Sequence, residues 1–334
     1  MAGAFFRKSE PDSFSGGSKP VRRKIGVALG AGAARGWAHI GALQELLAIG
    51  VSPDIVVGSS IGAVVGGCFA AGHLETLESF ARSLTKRRVF GLLDVSFNGG
   101  GLIGGDRLRG RLEESIGDLR IEDLPIHFAG VATEIGSGHE IWLKRGPLVE
   151  AMRASYALPG VFEPVRIAGH WLFDGAIVNP VPVSVARALG ADRVIAFNIA
   201  ADGSGRGTAI QDLPIEETAE AALAVGEAHP SMMSGLRRSA GLLRRQWASE
   251  GPGGPGLASV MVNAFNITQD RIMRSRLAGD PPDALISLKV GKIGLFEFHR
   301  AEELIALGRD AVRKARDEIA EQLELTLPPP PPKF

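Results

Sequence analysis

The pentapeptide Gly58-Ser59-Ser60-Ile61-Gly62 constrains this chain more than any other feature. Before it stand Ile55, Val56 and Val57, apolar β-branched residues that favour a strand, and after it a run of small and apolar residues suits a buried helix. A strand that turns tightly into a helix at a serine lifts the hydroxyl above the sheet edge, and flanking glycines let backbone and neighbours approach. Ser60 is therefore expected to be a nucleophile for acyl transfer, and the rest of the chain has to supply a base and an oxyanion site. A plain buried glycine-serine turn is the alternative in a chain with 44 glycines.

The pattern around Ser60 predicts an α/β sheet. Residues 25–29 read as a first strand, ended by the glycine loop 30–36. Residues 37–49 carry Trp37, Ile40, Leu43, Leu46 and Leu47 at helical spacing. Strand, glycine loop, helix, strand, turn and helix open such a sheet with right-handed crossovers. A helix is expected over 77–88, a glycine-interrupted apolar loop over 90–105, strands at 128–133 and 141–143, and a short helix over 149–156. A hairpin over 165–173 turns at Ala168-Gly169, and a helix at 183–189 leads to a strand at 193–199. Beyond these, 201–207 and 250–256 read as glycine-rich loops, 263–277 as an amphipathic helix, 284–290 as a strand and 301–323 as one long helix. The domain plan is a flexible segment 1–20, one domain over 21–324 in which 201–324 forms a lid or helical additions, and a proline-rich tail 325–334.

With 334 residues the chain can bury a large core without staples. Its 37 basic and 37 acidic side chains cancel, which gives no electrostatic case for nucleic acid. The single cysteine, Cys68, cannot form an internal disulfide and reads as a buried small hydrophobe. Residues 1–20 lack a continuous apolar core, so a cleaved signal peptide is not expected. A cytoplasmic location is the expectation, with transient contact at the inner face of the membrane left open. The uncharged stretch 55–72 approaches the length of a membrane span, but its glycines and strand-like first third suit strand, turn and helix better.

The glycine loop Gly30-Ala31-Gly32-Ala33-Ala34-Arg35-Gly36 is the oxyanion candidate. Its glycines allow close backbone approach, and the helix that follows leaves unpaired N–H groups pointing back. Gly30, Gly32 and Ala33, joined by the N–H of Ile61, are expected to meet the charge of a tetrahedral intermediate. One such donor is worth about 3 kcal/mol. The loop lacks the Lys-Ser/Thr ending of a nucleotide P-loop. Arg35 is expected to anchor the loop or substrate, with a surface ion pair as the alternative. Asp174, closing the apolar strand Trp171-Leu172-Phe173 and followed by Gly175, is the expected base, made useful by burial and a direct bond to Ser60. His39 is set aside as a helix residue, and His170 is the reserve base. No Cys, His, Asp and Glu cluster calls for a metal, and no cofactor is expected. Phe90, Leu92, Leu93 and Phe97 stand among glycines and suggest an acyl-access flap, or else core packing. Phe296, Phe298 and the apolar stripe of 301–323 are expected to close the domain or to form a homodimer.

These blocks, in this order, resemble the patatin-like phospholipase family, particularly its bacterial members. Gly30 to Gly36 matches the family's oxyanion motif, Gly58-Ser59-Ser60-Ile61-Gly62 its serine motif, and Asp174-Gly175-Ala176 its aspartate motif. Ala154-Ser155-Tyr156-Ala157-Leu158-Pro159, with Phe162 and Pro164, resembles the stretch before the aspartate. The resemblance implies a three-layer α/β/α fold with a mostly parallel central sheet. It also implies a Ser60-Asp174 dyad without histidine that hydrolyses fatty-acyl esters of phospholipids or lysophospholipids. Ala31 departs from the all-glycine form of the first motif, which bears on loop geometry. A lipid is the expected partner. Trp142, Trp171 and Phe173 offer surfaces for an acyl chain if they line the cleft. A non-catalytic lipid-binding or protein-interaction module on the same fold is the alternative, to be separated by whether Ser60 and Asp174 meet.

Overall fold

The computed structural model describes residues 22–92, 101–103, 106–199 and 257–328. Leu93, Phe97, the segment 1–20, both glycine-rich loops and the end of the proline tail lie outside them. β1 (Ile25–Leu29) passes through the glycine loop into α1 (Trp37–Ala48), and β2 (Ile55–Ser59) turns at Ser60 into α2 (Ile61–Ala70). Then come α3 (Leu74–Ser83), α4 (Lys86–Leu92), β3 (Gly101–Ile103), α5 (Asp106–Ile116), β4 (His127–Glu134), β5 (Glu140–Leu143) and α6 (Leu148–Tyr156). β6 (Gly160–Phe162), β7 (Val165–Ile167), β8 (His170–Asp174), α7 (Val183–Ala188) and β9 (Arg193–Asn198) come next. The last described elements are α8 (Leu257–Gly279), β10 (Ala284–Ser287), α9 (Ala301–Lys314) and α10 (Arg316–Leu323).

An 8-stranded sheet runs β10-β9-β1-β2-β4-β8-β7 with β5 also on β4, and its strands from β10 to β4 are parallel. Alternation along these strands feeds two cores. Val27, Leu29, Val56, Ile195 and Phe197 face the layer of α1, α2, α6 and α9. Ala28, Val57, Val194 and Ala196 face α7 and Met273 of α8. The result is the three-layer α/β/α arrangement with a mostly parallel sheet. The turn Ala168-Gly169 has both φ positive, at 51° and 89°, as a two-residue hairpin of type I′ requires.

The register of β4 positions the site. Its residues Gly130 and Val131 pair with both β2 and β5, while Ala132 and Thr133 pair with both β5 and β8. One edge cannot hold two strands at the same residues, so β5 occupies one edge, and β2 and β8 lie end to end along the other. Ser59 stands opposite Val131 and Asp174 opposite Ala132. Consecutive residues of β4 thus bring the ends of two antiparallel strands together, at Ser60 and Asp174.

Several expected boundaries move. The helix expected over 77–88 is two helices, because Leu84 is extended (φ −74°, ψ 113°) and Thr85 restarts the helix by accepting the Arg88 N–H at 3.3 Å. The expected loop 90–105 is partly regular: Phe90 and Leu92 belong to α4, and β3 pairs in parallel with β6. Helix α8 extends past 263–277 at both ends, and β10 stops at Ser287 although Leu288 and Val290 stay buried. The single helix over 301–323 breaks at Ala315 (φ −86°, ψ 4°), where α9, lying on α1, gives way to α10 beside β10. Its stripe of Leu304, Ile305, Val312, Ile319 and Leu323 is buried within this chain's own core.

Candidate active site

Ser60 caps α2 with φ 56° and ψ −125°, a left-handed backbone that costs an L-residue about 1–3 kcal/mol. Close approach explains the neighbouring glycines: a methyl group on Gly58 would overlap the Gly62 backbone, and one on Gly62 would overlap the Leu29 carbonyl. The strained turn is latched from α6. Ser155 Oγ accepts the Ser60 N–H at 3.0 Å and donates its own proton to the Val131 carbonyl at 2.5 Å.

Asp174 meets this turn from the end of β8. Its Oδ2 accepts the Ser60 hydroxyl at 2.6 Å and its Oδ1 accepts the Ala176 N–H at 2.8 Å. Thr133 Oγ1 donates to the Asp174 carbonyl at 2.9 Å, and the Asp174 N–H reaches the Ala157 carbonyl at 2.9 Å. Only 1% of Asp174 is exposed. Burial pushes its carboxyl up to about 7, against the pull of the two donors.

The glycine loop packs beside the elbow, since a methyl group on Gly36 would overlap the Ile61 side chain. Gly30 donates its N–H to the Phe197 carbonyl and Ala31 to that of Pro180, both at 3.0 Å, so Gly30 shapes the loop but is not a free donor. Gly32 and Ala33 make the bend, Ala33 with φ 50°. Among the described residues no protein acceptor meets the N–H groups of Gly32, Ala33 or Ile61. Arg35 braces the loop, its Nε donating to the Ile293 carbonyl at 2.7 Å. The Ala34 N–H reaches Leu295 O at 2.9 Å, Trp37 Nε1–H reaches Phe298 O at 3.2 Å, and the Trp37 and Phe298 rings stand edge to face at 6.0 Å. This strap, residues 293–298, is a part of the site region that sequence reasoning missed. Phe298 hinted at packing, but carbonyls that grip a loop so far away in sequence leave no local signal.

His39 is buried and bonds Gly30 O, not Ser60 or Asp174. His170 stands at the far end of β8, with 65% of its side chain exposed and Nδ1 4.0 Å from Glu134. Trp142 and Trp171 are exposed, and Phe173 is half-buried. Cys68 is buried, and burial pushes its thiol up to about 12. Among the described residues no group of His, Cys, Asp and Glu could hold a metal ion, and no helix is long and apolar enough to cross a membrane.

Residues 27–187 match the family model of patatin-like phospholipases. An uncharacterized NTE family protein of Mycobacterium tuberculosis is 35% identical, across 90% of this chain and 92% of that protein. The neuropathy target esterase of Drosophila melanogaster is 34% identical over 57% of this chain and 14% of its own length. A lysophospholipase of Emericella nidulans is 31% identical over 53% and 12%. The family match spans the elbow, the glycine loop and the strand that ends in Asp174, and the mycobacterial relative aligns along nearly the whole chain: this protein belongs to the patatin-like phospholipase family.

Proposed function

We propose that this protein is a serine lipid acyl hydrolase that cleaves fatty-acyl esters of phospholipids or lysophospholipids through Ser60 and Asp174. The observation that carries the reading is the 2.6 Å contact between Ser60 Oγ and a buried Asp174 carboxylate at the end of a strained strand-to-helix turn. As Oγ attacks the ester carbonyl, its proton passes to Asp174. The oxyanion is held by the N–H groups of Gly32, Ala33 and Ile61. Asp174 returns the proton to the departing alcohol, leaving Ser60 acylated. Water then gives a proton to Asp174 and attacks the acyl group, and the fatty acid leaves as Ser60 regains its proton.

Names among the relatives, an esterase and a lysophospholipase, support the ester and lipid classes. Contact with a lipid surface from the cytoplasmic side belongs to the same reading. The test is fatty-acid release from mixed phospholipid and lysophospholipid vesicles by wild type, Ser60→Ala and Asp174→Asn. Loss of at least about a thousandfold in the serine variant is expected, from the unit behaviour of nucleophile and base. Equal rates in all three would sink the assignment.

A further inference from the structure

His39 is a fully buried titratable group that this chemistry leaves unused. It sits in the first turn of α1, with Nε2 2.8 Å from the carbonyl oxygen of Gly30. A carbonyl can only accept, so the neutral ring carries its proton on Nε2. Nδ1 is then a bare lone pair, buried without a hydrogen-bond partner among the described residues. An orphaned polar atom is a cost that an apolar side chain of similar volume would avoid. What the imidazole supplies in return is the bond to Gly30. Burial lowers its pKa to about 4, so at neutral pH it remains an uncharged donor.

Gly30 is where the chain leaves β1 for the glycine loop, and it is held on every side. Its N–H is fixed on Phe197 O at 3.0 Å, and the Phe197 ring stands edge to face with the imidazole, centroids 6.3 Å apart. From α2, a methyl group on Gly62 would come within 2.9 Å of Gly30 O. The orientation of this peptide sets the direction in which the chain runs on to Gly32 and Ala33. We propose that His39 is a positioning residue that locks the Gly30 carbonyl, so that the N–H groups of Gly32 and Ala33 face the oxyanion formed at Ser60. The inference rests on the reading of this loop as the oxyanion site.

The test uses the full chain with two variants. His39→Met keeps side-chain volume and removes the donor, while His39→Gln offers an amide N–H near the position of Nε2. His39→Met is expected to fold with a Tm within about 4 °C of wild type. Its kcat for fatty-acid release should fall at least about tenfold at unchanged KM, with His39→Gln within about threefold of wild type. A histidine with only a packing role would give the reverse, a lowered Tm and an unchanged kcat. Unchanged kcat in His39→Met, or equal losses in the two variants, overturns the proposal. If His39→Met fails to fold, nitrogen-15 NMR of the wild-type ring decides: an Nε2–H tautomer is expected, and an Nδ1–H tautomer overturns it. Should wild type and Ser60→Ala release fatty acid equally, the hydrolase reading falls, and the NMR tautomer still decides whether His39 holds Gly30.

Discussion

Asp174 is buried on hydrogen bonds from Ser60 and Ala176, and the cost of that burial has a sign that can be measured. Its carboxyl rises from 3.8 to about 7, so the folded chain holds this proton more tightly than the unfolded one. The contribution to stability is full below about 3.8 and is lost as pH rises through about 7, amounting to about 4 kcal/mol at about 1.4 kcal/mol per unit. His39 runs the other way. Lowered from 6.5 to about 4, it adds stability that is present above 6.5 and lost as pH falls through about 4. The two partly cancel in wild type, so the comparison with Asp174→Asn isolates the carboxyl. The variant's urea midpoint, relative to wild type, should climb between about pH 4 and pH 7 and level off above that. In the same window kcat/KM of wild type should rise about tenfold per unit and level off above about 7, as a base that must ionise requires. Parallel stability curves together with a flat rate profile would refute the role. That Ser60 and Asp174 meet was legible in the sequence, because a tight turn and a strand end leave local marks. Ser155 and His39 were not legible as to role, because each serves a backbone atom, the Ser60 N–H and the Gly30 carbonyl, that no residue code reveals.

Helix α1 carries the glycine loop at its N-terminus, and α9 fixes where α1 lies. The two cross at a reciprocal pair of glycines: a methyl group on Gly41 would overlap the Ile305 carbonyl, and one on Gly308 the Ala38 carbonyl. Because the obstacles are backbone, they cannot swing away as a side chain would. Gly308→Ala should therefore cost about 1–3 kcal/mol, the usual penalty of overpacking. Gly110→Ala in α5, where an added methyl meets nothing within 4 Å, should instead stabilise by up to about 1 kcal/mol through helix propensity. Urea midpoints of the two variants should move in opposite directions, and a stabilised Gly308→Ala would show that the helices have room to part. Periodicity made α1 and the stripe of α9 readable, but the break at Ala315 and the split between α3 and α4 depend on where each piece finds its partner. The end-to-end meeting of β2 and β8 was likewise hidden, since register on β4 is a relation among three strands.

At the scale of the molecule, the family match ends at residue 187, yet the fold is closed by elements beyond that point. β10 extends the sheet beside β9, the strap 293–298 grips the glycine loop, and α9 covers α1. Removing everything after Arg300 would strip the core of Leu304, Ile305, Val312, Ile319 and Leu323, each 2% exposed or less. Burial of one large aliphatic side chain is worth about 1.5–3 kcal/mol, so the loss rivals the whole margin of about 5–15 kcal/mol by which domains stay folded. The truncated chain is therefore expected to unfold or aggregate, with loss of cooperative melting by circular dichroism and large species by light scattering. The full chain should show no dimer that depends on this stripe, because the apolar face is already spent inside one subunit. A truncated chain that melts cooperatively as a monomer would refute this, and would place α9 and α10 outside the folding unit.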